Sequence, residues 1–590
     1  MGLQFSTTLS TTFIDSNTSG PGQIGPEAPS FISGLPLSPN TPYDLFSSAP
    51  LTPGIGGIFD GFSTATFRTP TLDIALTGAL GYVDGSLTNA AYWGENLIPT
   101  LNPHLGSQTL PYAIVFPTAP GQDDATASRL SILGGSVTTA DGNLAIKGGY
   151  FDLTQTLRFV FAQPALTSVN PAIAYAPAET LSNGLAGTDI WQPLSSQLQL
   201  DGVDVVAKRG IATFELSNAA LPALLGDSAR LTLGSVIFDH GEGTRYSLEV
   251  LHASTAGRPF TTTVPFGADP TFYQTPQGTL PSSVLSGQQQ TILGLEATMH
   301  VLPLWKVDAI VELGRAWYNA QDVAMPGTAA PGGYYRVGFV KTFGRATASL
   351  DLYRMEPRYA TMILPYGIPE NQWSAAWSWP GQWLKSNYQL IDNSVLGVNR
   401  QGYRLRYFVD KGPIELHLEF TDLRQIDPET TTTAEETGFV DGYYLPQLPA
   451  DATLGRQRRY GFWAAWHPRF GDLTLDIVDD VLSRPWIAPS DNVDYEVPQA
   501  VLTFDRHISP NVEGAIGIGR YAMKGTFSEP IDYAQRLFFI GAIVKETPHA
   551  SILATFRQST FAGISSDPLL PPPSPNFASS QMVVEQRYQW

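Results

Sequence analysis

The stretch from Tyr403 to Phe420, YRLRYFVDKGPIELHLEF, decides the fold. Tyr403, Leu405 and Tyr407 alternate with Arg404 and Arg406, and after Asp410-Lys411-Gly412-Pro413 the residues Ile414, Leu416, Leu418 and Phe420 alternate with Glu415, His417 and Glu419. A period of two on both sides of a Gly-Pro turn is a β-hairpin with one apolar and one charged face. With the turn centred on Lys411 and Gly412, Arg404 faces Glu419 and Arg406 faces His417. The same unit recurs at Tyr335–Leu352, Tyr460–Ile477, Leu502–Ile518 and Leu537–Phe556, and more weakly at Leu293–Val311 and Leu231–Val250. Within each unit the turn is short. Between units the connections are long: about Met355 to Gln401, Leu423 to Gly455, Leu482 to Val497 and Gln558 to Ser579. A soluble sandwich has no reason to alternate short and long connections. A barrel crossing a membrane does, and closure leaves no unpaired edge in lipid.

Composition agrees. The 590 residues carry 34 basic and 53 acidic side chains, a formal charge of −19, with 15% charged and 11% aromatic residues, 55 glycines and 47 prolines. Low charge with many aromatics and turn formers argues against disorder and coiled coil. An acidic chain without a basic patch is a poor nucleic-acid binder. The absence of cysteine excludes disulfides, thiolate metal sites and cysteine nucleophiles, and fits an oxidising compartment. No apolar run approaches the roughly 18 residues of a spanning helix. The start, MGLQFSTTLSTTF, lacks the basic and apolar regions of a signal peptide, so the expectation is either a cytosolic chain or a mature product, and the rest of the sequence decides between them.

The last ten residues, Gln581 to Trp590 (QMVVEQRYQW), form a strand ending on an aromatic residue. Met582, Val584, Tyr588 and Trp590 share one parity; Glu585, Arg587 and Gln589 share the other, and Gln586 departs from the apolar set. This segment resembles the terminal strand of Gram-negative outer-membrane β-barrels. Lys147 to Leu153 is similar to an early porin strand. The resemblance implies an all-β, transmembrane, antiparallel up-and-down barrel with short periplasmic turns and long extracellular loops. It implies a bacterial outer-membrane location, contact with outer-membrane lipid, and the barrel assembly machinery as a partner that reads Val584, Tyr588 and Trp590. Counting hairpins back from the end gives about 18 strands, within a range of 16 to 22, and a homo-oligomer such as a trimer is compatible. Residues 1–72, rich in Ser, Thr, Gly and Pro, are expected to be a coil-rich arm, plug or cap, and 73–590 the barrel.

On the inward parity the charges change sign from strand to strand: Arg336, Asp351, Arg404 with Arg406, Glu415 with Glu419, Arg459, Asp476, with His417 among them. Facing charges in a wet barrel set up a field that sorts small hydrophilic solutes; opposite charges on neighbouring strands also simply pair. Trp373, Trp377, Trp379 and Trp383 share one connection, as a stacking platform for glycans, a constriction loop, or a small core of their own. The acidic run Asp427 to Glu436 lacks the spacing of a calcium loop, and the scattered histidines make no metal pair. No cofactor, metal or catalytic residue is expected. The expected activity is porin-like passive diffusion. The alternatives are a structural barrel scaffolding a partner or surface layer, a barrel hydrolase with Ser and His near its rim, or a secreted all-β glycan-binding protein.

Overall fold

The computed structural model describes residues 2–19, 43–44, 49–50, 54–85, 127–152, 199–220, 230–241, 243–256, 272–275, 278–281, 287–302, 307–321, 331–356, 400–426, 456–484, 493–527, 529–565 and 577–590. Among these, 22 strands form one antiparallel sheet. The first seven are β1 (Gly2–Ser19), β2 (Gly54–Arg68), β3 (Leu72–Gly85), β4 (Ala127–Thr139), β5 (Leu144–Asp152), β6 (Gln199–Arg209) and β7 (Ala212–Ala220). Then come β8 (Arg230–Asp239), β9 (Arg245–Ala256), β10 (Gly287–Leu302), β11 (Val307–Gln321), β12 (Gly332–Phe343), β13 (Ala346–Met355), β14 (Arg400–Asp410) and β15 (Ile414–Gln425). The last seven are β16 (Arg456–Trp466), β17 (Asp472–Arg484), β18 (Val493–Ser509), β19 (Val512–Phe527), β20 (Glu529–Thr547), β21 (Ala550–Ser565) and β22 (Phe577–Gln589). Each pairs with its chain neighbour, and β22 pairs back with β1 from Thr8↔Gln589 to Ser19↔Ala578. Trp590 completes the seam: its N–H donates to the Thr7 carbonyl at 2.9 Å and its carbonyl accepts from the Thr7 N–H at 3.1 Å. The sheet is a closed up-and-down barrel.

The count is 22 where about 18 were expected, and two of the added strands, β1 and β2, lie in the first 72 residues. The reading of 1–72 as coil is corrected for Gly2–Ser19 and Gly54–Arg68, which are wall strands. The physical reason is the barrel itself. A wall strand with a polar inner face does not need the apolar content of a core strand. In β1 it is enough that Leu3 and Phe5 project outward, 59% and 64% exposed, while Gln4 and Ser6 take the other parity.

Connections 69–71, 140–143, 210–211, 344–345, 411–413, 467–471 and 510–511 are short; 86–126, 153–198, 356–399 and 426–455 alternate with them and are long. One connection breaks the expected alternation: β19 and β20 run past the others and pair Phe527 with Glu529. The short turns are built by hydrogen bonding in place of a core. Asp141 accepts from the Thr139 hydroxyl at 2.6 Å and the Asn143 N–H at 3.0 Å, and these bonds hold its carboxyl below the usual range. In the hairpin that opened the sequence reading, Gly412 takes φ +70° and the Lys411 N–H donates to the Ile414 carbonyl at 2.8 Å. Pro413 has no N–H to give a ladder, so it stays in the turn. The turn is therefore centred between Gly412 and Pro413, one position later than expected, and every pairing shifts by two residues. Arg404 faces Thr421, Arg406 faces Glu419 and Phe408 faces His417.

The two faces separate by exposure. Outward are Leu405, Leu352, Leu418, Ile477, Ile540 and Phe556, all more than a third exposed. Aromatics gather at two levels of this face. One lies beside the short turns: Phe343 stacks on Tyr407 at 6.2 Å, Trp466 meets Phe470 at 5.6 Å, and Tyr588 stacks on Trp590 at 5.7 Å. The other lies toward the long connections: Tyr403 to Phe420 at 5.8 Å and Phe420 to Tyr460 at 5.2 Å. On β12 the levels are marked by Tyr335 and Phe343, about 27 Å apart along the strand at about 3.4 Å per residue. With a strand tilt of about 40° that is about 21 Å along the axis, close to the apolar band of an outer-membrane barrel.

Candidate functional site

The inner wall carries the polar and charged side chains, and neighbouring strands bring them into rows. One row runs Glu312, Arg336, Tyr353, Gly402 across β11 to β14. The next runs Ile310, Gly338, Asp351, Arg404, Thr421, Arg459, and the next Ser349, Arg406, Glu419, Gly461. Gly338 leaves room for what lies beside it: a Cβ there would meet Asp351 Oδ1 at 2.7 Å. The missing side chain lets the carboxylate lean toward Arg336 on the row above.

Asp351 is the centre of this wall. Arg336 donates to its Oδ1 through Nε at 3.0 Å and Nη2 at 2.7 Å. Arg406 and Arg404 reach Oδ2 at 3.2 and 3.4 Å. Arg336 turns its third nitrogen to Glu312 at 2.8 Å, and Tyr334 donates to the other oxygen of that carboxylate at 3.1 Å. Farther along, Arg459 lies 3.6 Å from Glu419, which also accepts from Thr421 at 3.4 Å. Six of the nine wall residues read from the sequence thus form one ladder: Arg336, Asp351, Arg404, Arg406, Glu419 and Arg459. Three stand apart. His417 faces Phe408 and Trp463, its ring edge-on to Phe408 at 6.3 Å. Asp476 lies opposite Trp463, not Arg459, which faces Asp480. Glu415 is at the short-turn end, 3.5 Å from His467, whose other nitrogen meets Asp472 at 2.8 Å.

The ladder is not bathed in pore water, which departs from the sequence reading. Asp351 and Arg459 are 1% exposed and Arg404 8%, whereas Arg406 keeps 32%. The wall beside it is equally enclosed and partly apolar: Leu231, Leu233, Leu251 and Ile292 on β8, β9 and β10 face inward with no exposed surface. On the row of Leu233, Ser217 donates to Asp204 at 2.7 Å and Lys147 approaches that carboxylate at 3.5 Å, and one row nearer the short turns Ser235 bonds Glu215 at 3.3 Å. Sequence reasoning missed Glu312, Asp204 and Glu215. Inward parity pointed to all three once their strands were aligned, but only Glu312 has a partner, Arg336, close enough in pattern to be noticed. Val584, Tyr588 and Trp590 lie on the outward parity of β22, with Glu585 buried inward. Trp373, Trp377, Trp379 and Trp383, and the acidic run 427–436, fall outside the described residues.

No family model matches the chain, and no curated protein matches it in sequence. Solved structures do. OccK8 (OprE) of Pseudomonas aeruginosa is 8% identical with a TM-score of 0.36, covering 100% of this chain and 98% of that one. OccK5 (OpdH) of the same organism is 8% identical with a TM-score of 0.35, over 100% and 98%. An anion-selective porin from Comamonas acidovorans is 8% identical with a TM-score of 0.28, over 64% of this chain and 93% of its own. The architecture described above rests on the strand register of this chain and not on these likenesses.

Proposed function

We propose that the protein is a channel of the bacterial outer membrane through which small hydrophilic solutes pass by diffusion. The observation that carries the reading is the division of one closed sheet into an apolar, aromatic-banded outer face and an inner face bearing charges of both signs. An apolar exterior needs lipid, and an inner wall of arginines and carboxylates needs polar contents. The short turns and both chain ends then lie on the periplasmic side, and the long connections outside. Insertion would use the assembly machinery that reads a terminal aromatic strand, here Val584 to Trp590, and the wall charges would bias which ions enter. Assembly into trimers belongs to the same reading, and no residue is assigned a catalytic role.

A second reading has its own support. The inward leucines of β8 and β9 and the centre of the charge ladder have almost no exposed surface, and 22-stranded barrels of the outer membrane hold a plugged lumen. A barrel filled in this way is a scaffold for a partner or surface layer and not an open pore. Conductance in planar bilayers separates the two. The channel reading expects discrete, stable openings from purified protein; a silent but folded barrel refutes it.

A further inference from the structure

We infer that the outer surface of β13 to β16 is a docking site for the phosphate of an anionic lipid headgroup in the outer leaflet; this rests on the membrane reading above. Four arginines sit on the outward parity of these strands near the long-connection end: Arg354, Arg424, Arg456 and Arg458. Gln401 and Arg424 face one another, as do Arg424 and Arg456, and Asp422 and Arg458. Arg456 donates to both oxygens of Asp422, and the charges of Arg424 and Arg458 reach the same carboxylate. Arg354 bonds Gln401 at 2.8 Å and stands 3.7 Å from Glu356. On β13 to β16 two carboxylates stand against four guanidinium groups, an excess of about +2 that borders Asp479 and Glu496 on the outward parity of β17 and β18.

Depth fixes what this charge is for. Immediately toward the barrel middle on the same outward face lie Tyr403, Phe420 and Tyr460, ring against ring. Such aromatics mark the membrane–water interface. At about 3.4 Å per residue, Arg458 and Arg456 lie about 7 and 14 Å beyond Tyr460 along the strand. That is headgroup depth. Outward arginines at mid-membrane would be strongly unfavourable, but at this level they meet phosphate, which planar guanidinium forks bind with two parallel hydrogen bonds. Asp422, nearly buried under Arg456, holds that guanidinium in place and leaves Arg424 and Arg458 to supply the free positive charge.

The test uses the full chain reconstituted in phosphatidylethanolamine vesicles containing a bisphosphorylated glycolipid, with retained lipid read by native mass spectrometry after detergent extraction. A basic residue near a charged surface contributes about fivefold in affinity, so Arg424→Gln with Arg458→Gln should weaken retention about 25-fold. Arg424→Lys with Arg458→Lys, which keeps the charge and loses the two-bond fork, should recover part of it. Retention unchanged in the Gln variant overturns the inference, and full retention in the Lys variant overturns the fork. Displacement by millimolar inorganic phosphate would make this a free-phosphate site and overturn the lipid assignment. Heat modifiability of each variant reports the folded barrel separately, so a failed lipid result is distinguishable from a failed membrane reading.

Discussion

Replacing Asp351 by Asn tests whether the charge ladder is buried structure or solvated pore lining. The change keeps the shape and removes one negative charge from the contact point of three arginines. At 1% exposure Asp351 accepts from Arg336 at 2.7 and 3.0 Å, from Arg406 at 3.2 Å and from Arg404 at 3.4 Å. Removing one partner of a buried ion pair typically costs about 3–5 kcal/mol, because the remaining charge is left enclosed. The lower end applies here. Arg336 keeps Glu312 at 2.8 Å, and Arg406 still faces Glu419 across the strand pair. The expected loss is therefore about 3 kcal/mol, roughly 150-fold in the unfolding equilibrium. A solvated pair would lose under about 1 kcal/mol. Urea unfolding of vesicle-reconstituted barrel, followed by heat modifiability, measures the difference. Glu415→Gln, a third exposed beside His467, is the internal comparison and should cost under about 1 kcal/mol. If Asp351→Asn costs no more than Glu415→Gln, the ladder is solvated and the enclosed wall is wrong.

Arg406→Ala should shift the reversal potential in a salt gradient toward cations at little cost in stability, while Arg404→Ala, four times less exposed, should destabilise the barrel markedly; equal effects would refute the distinction. Deleting Tyr588 to Trp590 removes the Thr7 backbone bonds and the Leu9↔Tyr588 pairing that close the ring, so the amount of heat-modifiable barrel in membranes should collapse. Trp590→Ala keeps those bonds and removes a side chain already 58% exposed, so any large loss of assembled protein would report recognition of the terminal strand and not lost burial. A cysteine at Lys411, in a short turn, should escape an impermeant thiol reagent on intact cells and one at Thr430 should react; the reverse pattern would invert the barrel.

Much of this barrel was legible because a sheet with one apolar and one polar face writes a period of two into the chain. Tyr403 to Phe420 shows it without interruption, and the outward and inward sets there are those of the structure. The first 72 residues were misread because low apolar content was weighed as if each strand needed a core. The outward series Leu3, Phe5, Leu9, Phe13 was present in the sequence, separated by serines and threonines that a wall strand tolerates. The register error at Lys411 came from centring the turn on Lys411 and Gly412, when the proline, which cannot join the ladder, moves the centre to Gly412 and Pro413 and every pairing by two residues. Sign alternation was readable along the chain, but which carboxylate faces which arginine was not. Side chains lean diagonally between rows, as Arg336 does toward Asp351 past Gly338, and diagonal contacts leave no fixed spacing.

That diagonal leaning changes how the wall should act on a passing ion. Strictly facing charges on a wide wet wall would each present an open pole to the lumen, and a transverse field would follow. Here Asp351 gathers three guanidinium groups and Arg336 divides itself between two carboxylates, so the poles close on one another inside the wall. Low exposure at the centre then raises the stabilising value of each contact and lowers its influence on solutes. What stays open are the ends: Arg406, at 32%, and Glu415 with His467 beside the short turns, each about a third exposed. Selectivity in a channel built this way resides at the margins of the ladder, where charge meets water, while the centre holds neighbouring strands in register.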